Sequence, residues 1–293
     1  MASPDKKDTE VHGHPERIDS LLPDEMAVRA EAVGEKKASL DAPRLFVLAV
    51  LAGAFISFGA MFATVAATGA EGVLPWGVTR VLVGLVFSLG LILVIVGGAE
   101  LFTGNTLIVM AWAAKRVRTV AVLRNWAIVY VGNFVGAMAT AALIFGSGQH
   151  EFAGAEVGRT ALAIANAKGE LGFGQALALG VLCNVLVCLA VWLSFSARTT
   201  FGKIMAVIPP VAAFVAGGFE HSVANMYFMP VALFIEAGAG EGFWQAAGGA
   251  AGDYTSLSWG DFVLNLIPVT IGNIIGGSAL VGAVYWFVYL RHR

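Results

Sequence analysis

Residues 97–105 read Gly97-Gly98-Ala99-Glu100-Leu101-Phe102-Thr103-Gly104-Asn105, and residues 217–225 read Gly217-Gly218-Phe219-Glu220-His221-Ser222-Val223-Ala224-Asn225. Both fit the pattern G-G-x-E-x-x-x-x-N. Each interrupts a long apolar run with residues that a lipid-facing helix avoids. The runs themselves define the class of molecule. Of the 293 residues, 58% are hydrophobic and 13% charged, with a mean hydropathy of +0.77. A soluble domain is about half apolar and a quarter charged. A bilayer core takes about 20 apolar residues per helix, and six runs meet that length, at about 44–68, 79–113, 122–147, 172–197, 202–235 and 262–290. The second and fifth, which carry the two quoted words, are too long for one straight crossing. Eight crossings would need charged turns at 100–106 and 219–225, and neither stretch holds a Lys or Arg. The expectation is therefore an all-α integral membrane protein of six spans with the second and fifth broken.

A second word follows each break. Span three carries Gly132-Asn133-Phe134-Val135-Gly136 and span six carries Gly272-Asn273-Ile274-Ile275-Gly276, both G-N-x-x-G. The chain thus reads as two three-span repeats, about 44–147 and 172–290. An odd number of crossings makes such a repeat insert upside down relative to its partner. That is the inverted-repeat plan of many transporters and channels, with the solute path at the repeat interface.

Charge gives the orientation. The loop Lys115-Arg116-Val117-Arg118 with Arg124, the pair Arg198 and Lys203, and the terminal Arg291 and Arg293 put eight Lys/Arg on one side. The other side holds Arg80, Arg159 and Lys168 against eight acids. The positive-inside rule makes both termini cytoplasmic. Residues 1–43 form a cytoplasmic tail carrying six Lys/Arg and ten Asp/Glu, with an amphipathic helix at about 21–36; residues 291–293 are the cytoplasmic C-terminus. No signal peptide precedes the first span. Cys183 and Cys188 share one apolar run and read as small hydrophobes.

Broken helices at membrane depth need a cavity or a protein shell around them. Each break is expected to free N–H groups near Thr106 and Asn225, where helix starts favour anions. Glu100, Glu220 and His221 are the ionisable residues placed in the core. The glutamates are expected to accept hydrogen bonds from the freed loop amides and so stabilise the loops, together with Asn105 and Asn225. His221, aligned with Leu101 and of the one residue type whose unperturbed titration lies near neutrality, is the candidate for proton exchange. Phe87, Leu91, Leu101, Phe102, Val187 and Phe214 flank the breaks and either pack or narrow a solute path.

These residues resemble the formate/nitrite transporter family of aquaporin-like, pentameric channels for small monovalent anions. The specific matches are 99–104 (AELFTG), 218–226 (GFEHSVANM), 184–192 (NVLVCLAVW) and 268–277 (PVTIGNIIGG). The resemblance implies one pore per protomer of a homopentamer, in the inner (plasma) membrane, and a transporter rather than an enzyme. It implies that His221 is the central histidine and Thr103 the loop threonine facing it. Lys168 would attract the anion, Asn184 would be the polar residue of the fourth span, and Phe87, Leu91, Phe102, Val187 and Phe214 would form the constriction. Residues 21–33 resemble the helix at the cytoplasmic mouth. Formate with proton-coupled, pH-dependent passage is the leading expectation, nitrite or hydrosulfide the alternative, since Gly104-Asn105-Thr106 resembles nitrite-type members as well. A neutral-solute pore and an intramembrane enzyme using Glu220, His221 and Ser222 are the other readings. The enzyme lacks a second carboxylate, a metal cluster or a G-x-S-x-G elbow. No metal, cofactor or nucleic acid is expected.

Overall fold

The computed structural model of the chain describes residues 20–293; the part of the expected tail before residue 20 lies outside them. Among the described residues every regular element is helical. An interfacial helix α1 (Pro23–Ala38) is followed by α2 (Ala42–Ala67), α3 (Trp76–Gly97), α4 (Phe102–Ala113) and α5 (Thr119–Gly146). The second half repeats the series with α6 (Glu156–Gly169), α7 (Phe173–Ser196), α8 (Thr200–Ala216), α9 (Ser222–Gly238) and, after a short α10 (Glu241–Ala247), α11 (Trp259–Tyr289).

Local sequence sets the boundaries. Asp41 caps α2 by accepting from Arg44 N–H, Thr199 caps α8 through Gly202 N–H, and Ser258 caps α11 through Asp261 N–H. Each is a short oxygen-bearing side chain in extended backbone, the geometry that satisfies a helix's first amides. Five helices are long and apolar enough to cross a bilayer, namely α2, α3, α5, α7 and α11. The expected fifth span divides at its break into α8 and α9, apolar helices of 17 residues each. The breaks differ in proportion: α3 has 22 residues before its break, and α4 is short.

The paired glycines explain both breaks. Gly98 and Gly218, the second glycine of each word, adopt φ of +78° and +72°. A Cβ is strained there by about 1–2 kcal/mol, so a glycine lets the chain turn out of the helix. The G-N-x-x-G glycines act by size. A Cβ on Gly136 would meet Val50 O, and one on Gly276 would meet Val181 O, so α5 packs backbone to backbone on α2, and α11 on α7.

α1 and the C-terminal end of α11 sit at one end. Met26, Ala27 and Ala30 of α1 pack with Trp192 and Leu290, Arg29 donates to Phe195 O, and Glu31 pairs with Arg116. The Lys/Arg-rich loops of the charge analysis therefore share the α1 end of the molecule, and α6 lies at the other.

Two features escape the run-length reading. First, α1 and α6 belong to the repeat: each precedes its three spans and reaches back to the break, as described below. Second, α11 runs through a π-helical stretch at Ile275–Ala283. There Gly277 comes so close to Thr106, Asn184 and Cys188 that any side chain would collide with all three. Widened turns of this kind cluster at functional sites.

Candidate functional site: two breaks that meet

Each break is pinned by one asparagine. Asn133 accepts Phe102 N–H at 2.9 Å and donates to Ala49 O and Glu100 O at 2.7 and 2.9 Å. Asn273 accepts Ser222 N–H at 2.9 Å and donates to Gly180 O and Glu220 O at 2.8 and 3.0 Å. These are the asparagines of G-N-x-x-G. Each lies fourteen residues after the first residue of its long helix, Thr119 or Trp259, about 21 Å along at 1.5 Å per residue. Both loops are thus held near mid-depth, and all the bonded groups are buried. The second half-helices begin at Phe102 and Ser222 rather than near Thr106 and Asn225.

The loop amides therefore do not rest on the glutamates. Glu100 accepts from Lys37 Nζ at 2.8 Å and from Asn105 Nδ2 at 2.7 Å; Asn105 also takes Lys37 Nζ on Oδ1 and donates to Asn125. Glu220 accepts from Lys168 Nζ at 2.7 Å and from Asn225 Nδ2 at 2.6 Å; Asn225 donates in turn to Asn265. Asn125 and Asn265 close each set by donating to the carbonyls of Lys37 and Lys168. The correction has a simple cause. A buried carboxylate prefers a counter-ion to a neutral amide, and α1 and α6 bring one to each break. Lys37 is the functional residue the sequence reading missed. The signal was its place near the end of a polar amphipathic helix, but its 63-residue separation from Glu100 is not legible as a contact. Lys37→Met should leave a buried carboxylate unpaired and cost about 3 kcal/mol. Lys37→Met with Glu100→Gln should recover at least half of that loss in thermal stability in detergent.

The two breaks touch. His221 caps α9, its Nδ1 accepting Ala224 N–H at 3.0 Å, while its Nε2 lies 2.9 Å from Thr103 Oγ1. A backbone amide can only donate, so Nδ1 carries no proton. An imidazole lacking hydrogen on both nitrogens would be an anion, so the proton sits on Nε2 and is donated to Thr103 Oγ1. The Thr103 hydroxyl hydrogen is then free to point at a third group. Asn184 donates to Thr103 O, Thr106 Oγ1 and Asn273 O, fixing the loop from behind, and its Oδ1 has no partner among the described residues.

Aromatic rings surround this contact. Phe214 stacks on His221 at 6.0 Å and meets Phe87 edge-on at 5.7 Å; Phe87 stacks on Phe228 at 6.5 Å. Phe102 packs against Tyr130 and Trp126 at 4.9 and 6.4 Å. Leu91 and Val187 are buried. From the α1 end a cavity of about 470 Å³ runs inward, walled by Arg29, Lys36, Lys37, Arg44 and Lys203 and ending at Leu91, Leu101 and Gly104. Cys183 and Cys188 are free thiols packed in the interior.

The architecture is that of an inverted-repeat membrane protein whose two broken spans meet at one buried polar point. Residues 24–287 match the family described as Formate/nitrite transporter. The Escherichia coli (strain K12) protein named formate channel FocA is 45% identical over 277 residues, covering 94% of this chain and 97% of its own length. A Bacillus thuringiensis protein named formate channel BtFdhC is 38% identical over 275 residues, covering 92% and 96%. A solved structure described as a pentameric formate channel with formate bound superimposes with a TM-score of 0.80 at 44% identity, covering 85% of this chain and 98% of that one. The chain belongs to the formate/nitrite transporter family.

Proposed function

We propose that the protein is a channel for small monovalent anions, formate first, with proton-coupled passage through a pore in each protomer of a homopentamer. The membrane is the inner (plasma) membrane, with both termini cytoplasmic. The observation that carries this reading is the Thr103–His221 contact between aromatic rings. It offers an arriving anion the Thr103 hydroxyl as donor, backed by the Nε2–H that this hydroxyl accepts, inside an apolar sleeve.

A bare anion in such a sleeve is costly, since it loses its water without gaining a full shell of donors. Gaining a proton removes that cost, because the solute then crosses as the neutral acid; His221 gives one from Nε2 when Nδ1 has released Ala224 N–H and taken a proton, so that the ring passes from imidazolium to neutral imidazole. Thr103 orients the solute against the ring, and Asn184 holds the loop that carries Thr103. Phe87, Leu91, Phe102, Val187 and Phe214 restrict hydrated ions. Glu100 and Glu220 with Asn105 and Asn225 keep the two lysines at the breaks. The names of the relatives support formate as the leading substrate, and a pentameric relative supports the assembly.

Stopped-flow uptake into proteoliposomes, with formate, nitrite, hydrosulfide, acetate and lactate compared across pH, tests the reading. Formate uptake that rises as external pH falls is expected, with lactate slowest for its size. Uptake without pH dependence, equal for neutral solutes of the same size, would instead indicate an aquaporin-type pore.

A further inference from the structure

Three Lys/Arg lie on the α6 side of the molecule, and two are already neutralised. Lys168 pairs with Glu220 at 2.7 Å and Arg159 with Glu156 at 2.8 Å. The third, Arg80, pairs with no carboxylate among the described residues. Its Nη2 donates to Val215 O at 2.6 Å and its Nε to Ala216 O at 3.1 Å, with the guanidinium 5.9 Å from the Trp76 ring centroid. Two of its donors thus clasp the last turn of α8. The positive charge itself is not cancelled.

Its position matters as much as its charge. Arg80 and Phe87 are seven residues apart on α3, two turns and about 10 Å along the same face, with buried Gly84 between them and Leu91 one turn beyond. Val215, which Arg80 holds, is the residue after Phe214, the edge-on partner of Phe87. Lys168 approaches the same layer from another side, its Nζ 5.4 Å from the Phe228 ring that stacks on Phe87. The stripe Arg80–Gly84–Phe87–Leu91 therefore runs from a partly exposed cation down to the aromatic layer and past it. A helix ending at Ala216 also presents carbonyls that repel an anion, and the Arg80 guanidinium covers them.

We propose that Arg80 is the anion-recruiting residue of the α6 side, binding small monovalent anions on the approach to the Phe87–Phe214 pair. Lys168 serves mainly to balance Glu220. The inference deepens the anion-channel reading and rests on it. An isolated charge acts on an approaching anion through the potential, which salt screens over about 10 Å at 0.1 M.

Formate uptake in proteoliposomes, at several concentrations and at low and high salt, decides the point. Wild-type protein should show an apparent KM that rises with salt. Arg80→Gln should raise KM roughly three- to tenfold at low salt, keep Vmax within about twofold, and lose most of the salt dependence. Arg80→Lys keeps the charge but cannot reproduce the two-carbonyl fork; it should stay within about twofold of wild type in KM and keep the salt dependence. An Arg80→Gln protein with unchanged KM and salt response would overturn the proposal. So would an Arg80→Lys protein as impaired as Arg80→Gln, which would assign the effect to the clasp. If Arg80→Gln does not assemble, the Arg80→Lys result alone decides. Wild-type vesicles that carry no formate at all would instead remove the anion-channel reading itself.

Discussion

Replacing Asn273 by leucine, nearly the same size and without polar atoms, is expected to destabilise the protein by about 3–6 kcal/mol. The variant removes three hydrogen bonds at once and leaves Ser222 N–H, Gly180 O and Glu220 O with one partner fewer in the interior. Each buried group left unsatisfied costs about 1–3 kcal/mol, and no water is close at hand in a packed membrane protein to take its place. Size-exclusion chromatography of heated detergent extracts, read by fluorescence, would show a melting temperature far below wild type or no assembled peak. The pseudo-symmetry adds a sharper expectation: Asn133→Leu should fall within about 1 kcal/mol of Asn273→Leu, because Asn133 makes the matching three bonds. Unequal losses would mean that one break is held mainly by something else.

The second large effect concerns transport rather than folding. His221→Asn keeps an N-cap acceptor, since asparagine is among the best capping residues, but cannot take up or release a proton near neutral pH. Its structure should therefore survive while its proton-coupled formate flux falls by about a hundredfold, in the range ascribed to a positioned acid–base group. His221→Phe removes the cap as well and should add about 1 kcal/mol of destabilisation. A pH dye inside the vesicle, read beside formate uptake, measures both halves of the coupling. Wild-type coupling in the asparagine variant would remove His221 from the relay.

Much of this molecule was legible along the chain, for a physical reason. The run lengths and the two repeated words are local signals, and the family resemblance rests on contiguous residues. The reasons for the glycines in those words came only with the structure: positive φ at Gly98 and Gly218, and close backbone approach where α5 and α11 touch their neighbours. What failed was partner assignment. Glu100 and Glu220 read as loop supports, yet their partners are lysines 63 and 52 residues away on helices too polar to register as part of a membrane repeat. Phe102 N–H and Ser222 N–H went to Asn133 and Asn273, which the sequence showed only as members of a repeated word. The half-helix starts were misplaced by three or four residues because helix ends carry weak sequence signals: Phe102 N–H goes to an asparagine of another span, and α9 is capped by a histidine, which is not among the usual capping residues. The π-helical stretch of α11 has no periodicity of its own to detect.

The capped nitrogen of His221 has a consequence for leakage. A proton wire needs a side chain that receives hydrogen at one end and passes it on at the other. With Ala224 N–H occupying Nδ1, the imidazole has one working end only, and its ring cannot turn over without uncapping α9. Giving up the Nε2 proton on the Thr103 face would leave an imidazolate, so the ring can donate only after Nδ1 lets go of Ala224 N–H and takes a proton itself. While capped, the ring cannot conduct protons by itself. Each proton passed requires uncapping α9, so the capped state keeps the membrane's proton gradient when no substrate is present.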